Sequence, residues 1–231
     1  MTNIVNMVYT ETNRPDLVNE TIQAVQEATL SAHTIDYFIL DIQTAQIEFS
    51  TADYVQQLDT TTIEYFRKME FMRKTDSNNL WPTPTGNQGY PMFLPPSADA
   101  VGSPNPTTCW WIERNKDTEI CEIDLADIFD DFWMEKRNAW YQAGTNIVIR
   151  TMWQIQYILC AYYIFPDITT TNYTSWIATS WPFAIVYKAA ANVFNKIGQI
   201  EAAAKYGDAE SGMVGEQYGL LVKNNITAKG F

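Results

Sequence analysis

The chain is poor in the residues that carry most enzymatic and metal chemistry. Its 231 residues include one histidine, His33, and three cysteines, Cys109, Cys121 and Cys160, with no CxxC spacing. An odd number of widely spaced cysteines makes neither a disulfide framework nor a zinc site, so buried free thiols are expected. One histidine leaves one candidate base for a Ser or Cys triad. Nothing around His33 marks it for that role, and a cap or surface contact at a helix end is the plainer expectation. The phosphate loop GxxxxGK[ST], a GxGxxG after a strand and the zinc motif HExxH are all missing. ATP, NAD and zinc chemistry are therefore unsupported, and no cofactor is expected.

Cationic residues are also scarce. Fifteen Lys and Arg stand against 27 Asp and Glu, a formal charge of −12, which argues against a protein that grips a phosphate backbone. Long apolar runs are lacking. The most apolar stretch, Ile155 to Pro166, is about twelve residues, too short to span a bilayer, so no membrane partner is expected. Met1 to Thr12 has no basic n-region and does not read as a signal peptide. Without a secretory signal, the Asn-x-Thr sequons at Asn19, Asn172 and Asn225 read as chance, and the expected setting is a reducing cytoplasm or a particle assembled there. What remains is ample for a core. Hydrophobic residues make up 46% of the chain and aromatics 14%, which excludes intrinsic disorder. A chain of this length can bury roughly 70% of its unfolded surface, as one large domain or two small ones.

The periodicity predicts a first helix over about Asp16 to Ala32. Pro15 suits its opening, Asp16 and Glu20 complement the dipole, and Val18, Ile22, Val25, Thr29 and Ala32 form the stripe. Shorter signals follow: a brief strand over Gln46 to Phe49, a turn or short helix over Asp59 to Tyr65, and a strand over Phe66 to Arg73 for which helix is nearly as good. Further strands are expected over Trp110 to Arg114 and Glu119 to Asp124. A hairpin is expected with Trp140 to Gly144 leading into Asn146 to Arg150. Ile155 to Ile164 reads as a separate strand with two largely apolar faces, so it is either central in a sandwich or covered by another subunit. In the last third, Pro182 opens a helix to about Tyr206 that carries Ile185, Val186, Ala189, Val193, Ile197, Ile200 and Ala204. Gly207 ends it, and Asp208 caps a final helix to about Lys223.

Residues 78–108 stand apart. They hold seven of the ten prolines together with Trp81, Tyr90 and Phe93. Proline at this density forbids a regular helix or a central strand. The segment is either an irregular loop packed on its own domain or a docking arm that orders against a partner.

The acidic run Glu122, Asp124, Asp127, Asp130 and Asp131 is the remaining candidate for chemistry. It lacks the glycine of an EF-hand loop. On a helix 124, 127 and 131 share a face, which suits a solvated stripe or channel lining, a metal site, or a carboxylate pair for glycoside hydrolysis.

The order of these signals resembles the head-to-tail adaptor (connector) proteins of tailed bacteriophages, chiefly short-tailed ones. Arg14 to Leu30 looks like that family's first helix and Trp140 to Arg150 like its aromatic-Gly hairpin. Cys160 to Pro166 looks like its next strand, and Ser180 to Ala203 with the helix after Asp208 like its closing helices. The resemblance covers about two-thirds of the chain, and the segment 78–108 stands outside it as an insertion. It implies a structural virion protein without catalytic residues, located at the portal vertex and assembled in the host cytoplasm. It further implies a homo-oligomeric ring, commonly of twelve copies, beneath the portal protein. Such a ring extends the DNA channel without binding DNA specifically and carries other tail proteins.

The expected fold is α+β, with a helical bundle from residues 1–35 and 175–231 and a mainly antiparallel β part from 36–174 that carries the Pro-rich insertion 78–108. Expected interface residues are Tyr157, Leu159 and Tyr163 of the apolar strand, Trp81, Tyr90 and Phe93 of the insertion, and Leu220, Leu221, Lys223 and Phe231 near the C-terminal end. Asp124, Asp127 and Asp131 are candidates for the acidic channel wall. Deleting 219–231 is expected to weaken portal binding and leave the monomer folded. Two alternatives stay open. One is a glycan hydrolase with carboxylates from Glu122 to Asp131 and stacking by Trp110, Trp111 and Trp133. The other is a carbohydrate-binding module.

Overall fold

The computed structural model describes residues 1–75, 119–124, 138–207 and 212–229. The chain is mixed α+β and divides into two compact units. One comprises Met1–Ile42 with Ile164–Phe231, the other Gln43–Tyr163. Residues 36–42 and 164–174 therefore go with the helices. The expected insertion 78–108, the strand 110–114 and the acidic helix after Asp124 lie outside the described residues.

The helical unit begins with α1 (Thr2–Thr12), which the sequence reading did not anticipate. Its Ile4, Val5, Val8 and Thr12 form a buried stripe, and Asn13 ends it in the left-handed region at φ 53, its N–H bonded to the Tyr9 carbonyl at 2.8 Å. Asparagine tolerates this conformation because its short side chain competes well for local hydrogen bonds. The next helix, α2 (Val18–Thr34), starts later than expected. Pro15 and Asp16 lie in the turn before it, where the Arg14 guanidinium grips both Asp16 oxygens at 2.8 Å. Its buried face is Thr21, Ala24, Val25, Ala28, Thr29, Ala32 and His33. Small residues do the packing, and Val18, expected in the stripe, is 48% exposed.

The C-terminal helices are α3 (Trp176–Ser180), α4 (Pro182–Lys196), α5 (Ile200–Gly207) and α6 (Met213–Ala228). Pro182 opens α4, as its fixed φ favours. This helix packs against α1, α2, α3, α5 and α6, and its buried residues Ala184, Ile185, Val186, Ala189 and Val193 join those of α1 and α2 in one core. The expected single helix to Tyr206 is in fact two. Gly198 takes φ 76, and the N–H groups of Gly198 and Gln199 turn back to Asn195 and Phe194 carbonyls. The apolar pattern continues past this break, but Ile200 beyond it is 73% exposed. Gly207 does end α5, and a Cβ there would sit 3.1 Å from that of Ala191. The N-cap of the final helix is Gly212, with the expected cap Asp208 outside the described residues, and the helix runs to Ala228, not to Lys223.

The β unit is a mostly antiparallel sheet. Its described strands are β1 (Ile42–Asp59), β2 (Phe66–Thr75), β3 (Cys121–Glu122), β4 (Ala139–Ala143) and β5 (Asn146–Ile164). The order is β1-β5-β4-β3, with β2 also on β5, and the β3–β4 pair is parallel. The expected hairpin is present, with Trp140 opposite Ile149, Ala143 opposite Asn146 and Gly144 at φ 62 in the turn. The strand expected from Ile155 is not separate: it continues the second hairpin strand into one element of 19 residues. Likewise β1 is 18 residues long where four were expected. Its Gln, Thr and Ser residues are mostly exposed and hide the apolar alternation. The turn expected over Asp59 to Tyr65 is a 3-10 turn at Thr60–Thr62, where Asp59 accepts from the Thr61 N–H.

Candidate functional site

The helical unit holds one constellation with the look of chemistry. At the end of α2, His33 is wholly buried, and its Nδ1 lies 3.0 Å from both oxygens of Asp41. Asp41 sits in a 3-10 turn, Ile39–Asp41, and also accepts from the Trp176 indole N–H at 2.7 Å. On the far side of the ring, Nε2 is 2.9 Å from the Ser175 hydroxyl. The partners assign the proton. A carboxylate accepts only, so Nδ1 donates to Asp41, while Nε2 and the Ser175 hydroxyl share the second bond. Phe38 and Trp176 close over the imidazole edge-on, with ring centroids 6.5 and 5.9 Å away. One turn earlier on α2, Thr29 bonds the Tyr173 hydroxyl at 2.6 Å. Burial pushes that phenol up, against the opposing pull of Thr29 and Ser175.

The order Ser–His–Asp is that of a hydrolase triad, but the surroundings give it different work. Ser175 is 4% exposed, and its oxygen accepts from the Ala178 N–H, capping α3. Asp41 is 4% exposed as well. No reacting atom has a face open to substrate. What the cluster does is hold three segments of chain together: the end of α2, the turn at 39–41 and the start of α3. His33, expected as a cap or surface contact, is thus a core residue. No local signal could have found this, because its partners lie 8 and 142 residues away.

Beside this cluster, Phe38, Ile39, Leu40, Trp176, Leu221, Asn224, Asn225 and Ala228 line a shallow apolar groove of about 190 Å³. The buried side chain of Asn225 builds it. Its amide donates to the Asp36 carboxylate at 2.6 Å and the Tyr37 carbonyl at 3.1 Å, while its oxygen accepts from the Ile39 N–H. Lys229 adds a 3.7 Å ion pair to Asp36. Segment 36–40 is thereby tied to α6 with Phe38 turned into the core and the other apolar side chains outward: Tyr37, Ile39 and Leu40 are 39, 40 and 68% exposed. Leu220 and Ile226 of α6 are exposed to a similar degree.

The expected interface residues divide between interior and surface. Leu221 at 1% and Tyr163 at 4% exposure are core residues, not surface ones. Leu220 and Lys223 lie on the outer side of α6, and Tyr157 and Leu159 are half-buried on one face of β5. The opposite face, with Ile158, Cys160 and Tyr162, is interior. Tyr157 donates to Glu48 across the strands at 2.9 Å. Asp124 is exposed. Trp81, Tyr90, Phe93, Phe231, Asp127 and Asp131 lie outside the described residues, as do Asp130, Trp110, Trp111 and Trp133 of the glycan readings. Among the described residues no group of three or more His, Cys, Asp or Glu is placed to hold a metal ion, and no helix is long and apolar enough to cross a membrane. Removal of 219–231 would also take the buried Leu221 and Asn225 from the helical unit.

No family model matches the chain, and the search of curated proteins returns no match.

Proposed function

We propose that this protein is a structural virion component, a head-to-tail connector that forms a ring under a phage portal, extends the DNA channel and carries tail proteins. The observation that carries the reading is the outward apolar surface of Tyr37, Ile39 and Leu40 beside α6. Side chains of that size are placed outside the core by a dedicated hydrogen-bond clamp, at Asn225, and not by accident of a loose loop. Large exposed apolar surface marks a protein–protein contact, and obligate interfaces resemble a domain core cut in half. The order of motifs along the chain supports the connector class. The acidic balance of −12 suits a conduit, since like charge repels phosphate within a Debye length of roughly 8 Å. In this reading the protein performs no catalysis, and the Ser175–His33–Asp41 cluster serves stability alone.

Native mass spectrometry of the purified chain, alone and mixed with portal rings, tests the proposal. A weakly associating monomer that becomes a defined ring on the portal is the expected result. A stable monomer indifferent to portal would sink it. Leu40→Asp, which alters an exposed side chain, should prevent ring formation and leave the far-UV circular dichroism unchanged.

A further inference from the structure

The clamp that ties segment 36–40 to α6 also holds the parts of a covalent chemistry. Asn225 lies in the last turn of α6 and Lys229 is the residue that caps it. The Lys229 N–H bonds the Asn225 carbonyl at 2.9 Å, so the backbone is still helical there and side chains four residues apart are neighbours. Both side chains reach one carboxylate. Asn225 Nδ2 is 2.6 Å from Asp36 Oδ2, and Lys229 Nζ is 3.7 Å from Asp36 Oδ1. Lysine is ordinarily a surface residue, yet the Lys229 side chain is 27% exposed and that of Asp36 26%. Asn225 itself is buried. An amine, a carboxamide and a carboxylate thus meet at one spot from which most water is excluded.

An amine that attacks a carboxamide displaces ammonia and leaves a new amide. In free solution three things hold that reaction back: the encounter of the two groups, the charge that builds on the carbonyl oxygen, and the proton that must pass to the departing nitrogen. The clamp answers each of them. The helix fixes the amine and the amide as neighbours, which replaces a bimolecular encounter by an intramolecular one. Asn225 Oδ1 accepts from the Ile39 N–H at 3.4 Å, a backbone donor already placed where the negative charge develops. Asp36 stands between the two nitrogens and serves as the acid–base group that links them. The amide nitrogen is also held at the Tyr37 carbonyl, 3.1 Å away.

We propose that Asn225 and Lys229 condense into an intramolecular isopeptide bond, with Asp36 as the proton carrier. Lys229 Nζ, as the neutral amine, attacks Asn225 Cγ. The N–C bond forms as the carbonyl electron pair moves onto Oδ1. Asp36 takes one proton from Nζ and delivers it to Nδ2. The pair on Oδ1 then restores the carbonyl, the Cγ–Nδ2 bond breaks and ammonia leaves. Nothing is oxidised or reduced, and no further reactant enters. The product amide keeps one N–H to donate to Asp36 or to Tyr37. The bond spans one helical turn, removes the Lys229 charge and fixes the Asn225 side chain on which segment 36–40 hangs. The inference stands apart from the connector reading, since it concerns a single chain.

The test uses the full chain, held at pH 7 and pH 9 and followed by intact mass and tryptic mapping. The expected result is a species lighter by one ammonia that grows with time, and faster at pH 9, because the amine attacks in its neutral form. Trypsin should no longer cut after Lys229, and the peptide of residues 224–231 should fragment as a loop joined between 225 and 229. Lys229→Arg keeps the ion pair to Asp36 but should abolish the product. Asp36→Asn should slow its formation at least tenfold. Circular dichroism confirms that both variants are folded. Absence of the lighter species at both pH values would overturn the proposal. So would its persistence in Lys229→Arg, the mark of a succinimide at an asparagine, or an unchanged rate in Asp36→Asn.

Discussion

The amide of Asn225, buried on the last helix, sits 2.6 Å from the carboxylate of Asp36, 189 residues earlier in the chain. The same side chain also bonds the backbone at Tyr37 and Ile39. One asparagine thus bonds three polar groups of segment 36–39: a carboxylate, a carbonyl and an N–H. It also makes the Asn225 sequon a structural residue with no room for a glycan.

Asn225→Ala removes these bonds and leaves their partners facing a gap. With a net cost of about 1 kcal/mol per bond and more for the one to a carboxylate, a loss of about 2–4 kcal/mol is expected. Urea unfolding measures it. The variant should also lose ring formation, because segment 37–40 is no longer held.

Asp36 makes stability depend on pH. Partial burial alone would raise its carboxyl, but the Asn225 amide, the Tyr37 N–H and Lys229 together outweigh burial and hold it below the ordinary range. A carboxyl depressed in the folded state contributes stability that is fully present above its unfolded value, ~3.9, and lost as pH falls through the lower folded one. The urea midpoint should therefore drop between about pH 4 and pH 2. In Asn225→Ala the drop should be shallower.

Ser175 should ignore a fluorophosphonate probe in the native protein, since its oxygen is buried and engaged at both the cap and His33. Ser175→Ala should cost about 1 kcal/mol as a lost N-cap. Asp41→Ala, which orphans both the His33 and Trp176 N–H groups, should cost about 2–4 kcal/mol. Rapid labelling of Ser175 would show that the cluster opens to solvent and would revive a nucleophilic role.

Gly198 takes φ 76 with open space where a Cβ would stand. Gly198→Ala therefore isolates the backbone cost, about 1 kcal/mol. A stabilised variant in thermal melts would mean that the break between α4 and α5 anneals into one helix.

The two described thiols should separate cleanly. Burial pushes Cys160 up to about 11, whereas Cys121 is exposed. With iodoacetamide at pH 8, peptide mapping should find Cys121 modified at least a hundredfold faster. Cys160 should react only as the β unit opens.

Where one element owed its form to its own residues, the sequence was readable. The hairpin at Gly144, the opening of α4 by Pro182 and its apolar stripe all follow from local chemistry. Reading failed where a distant contact decides. Gly198 sits inside an apolar period that Ile197 and Ile200 continue, so the pattern hides a break made by the left-handed turn. The polar length of β1 becomes a strand because β5 offers it a partner. In α1, Ile4, Val5 and Val8 have the spacing of a helix, but so short an apolar stripe gains its stability from α2 and α4 and not from its own residues. His33 and Asn225 are the clearest cases. Each is a polar residue whose burial is made tolerable by partners far along the chain, and no local window contains them.

The helical unit is made from both flanks of the chain, with the whole β unit between them. Translation delivers these pieces in a fixed order. Helices α1 and α2 leave the ribosome first, and α6 follows roughly 180 residues later, roughly 10–35 seconds at 5–20 residues per second. Until α4 follows, Val25, Ala28 and Phe38 have nothing from it to cover them, and until α6 follows Asp36 has no Asn225. The nascent amino-terminal helices are thus a natural client for a holding chaperone. Once the β unit has folded, it closes the long loop and spares the flanks much of the entropy of finding each other. Variants that slow the sheet should therefore delay the helices as well.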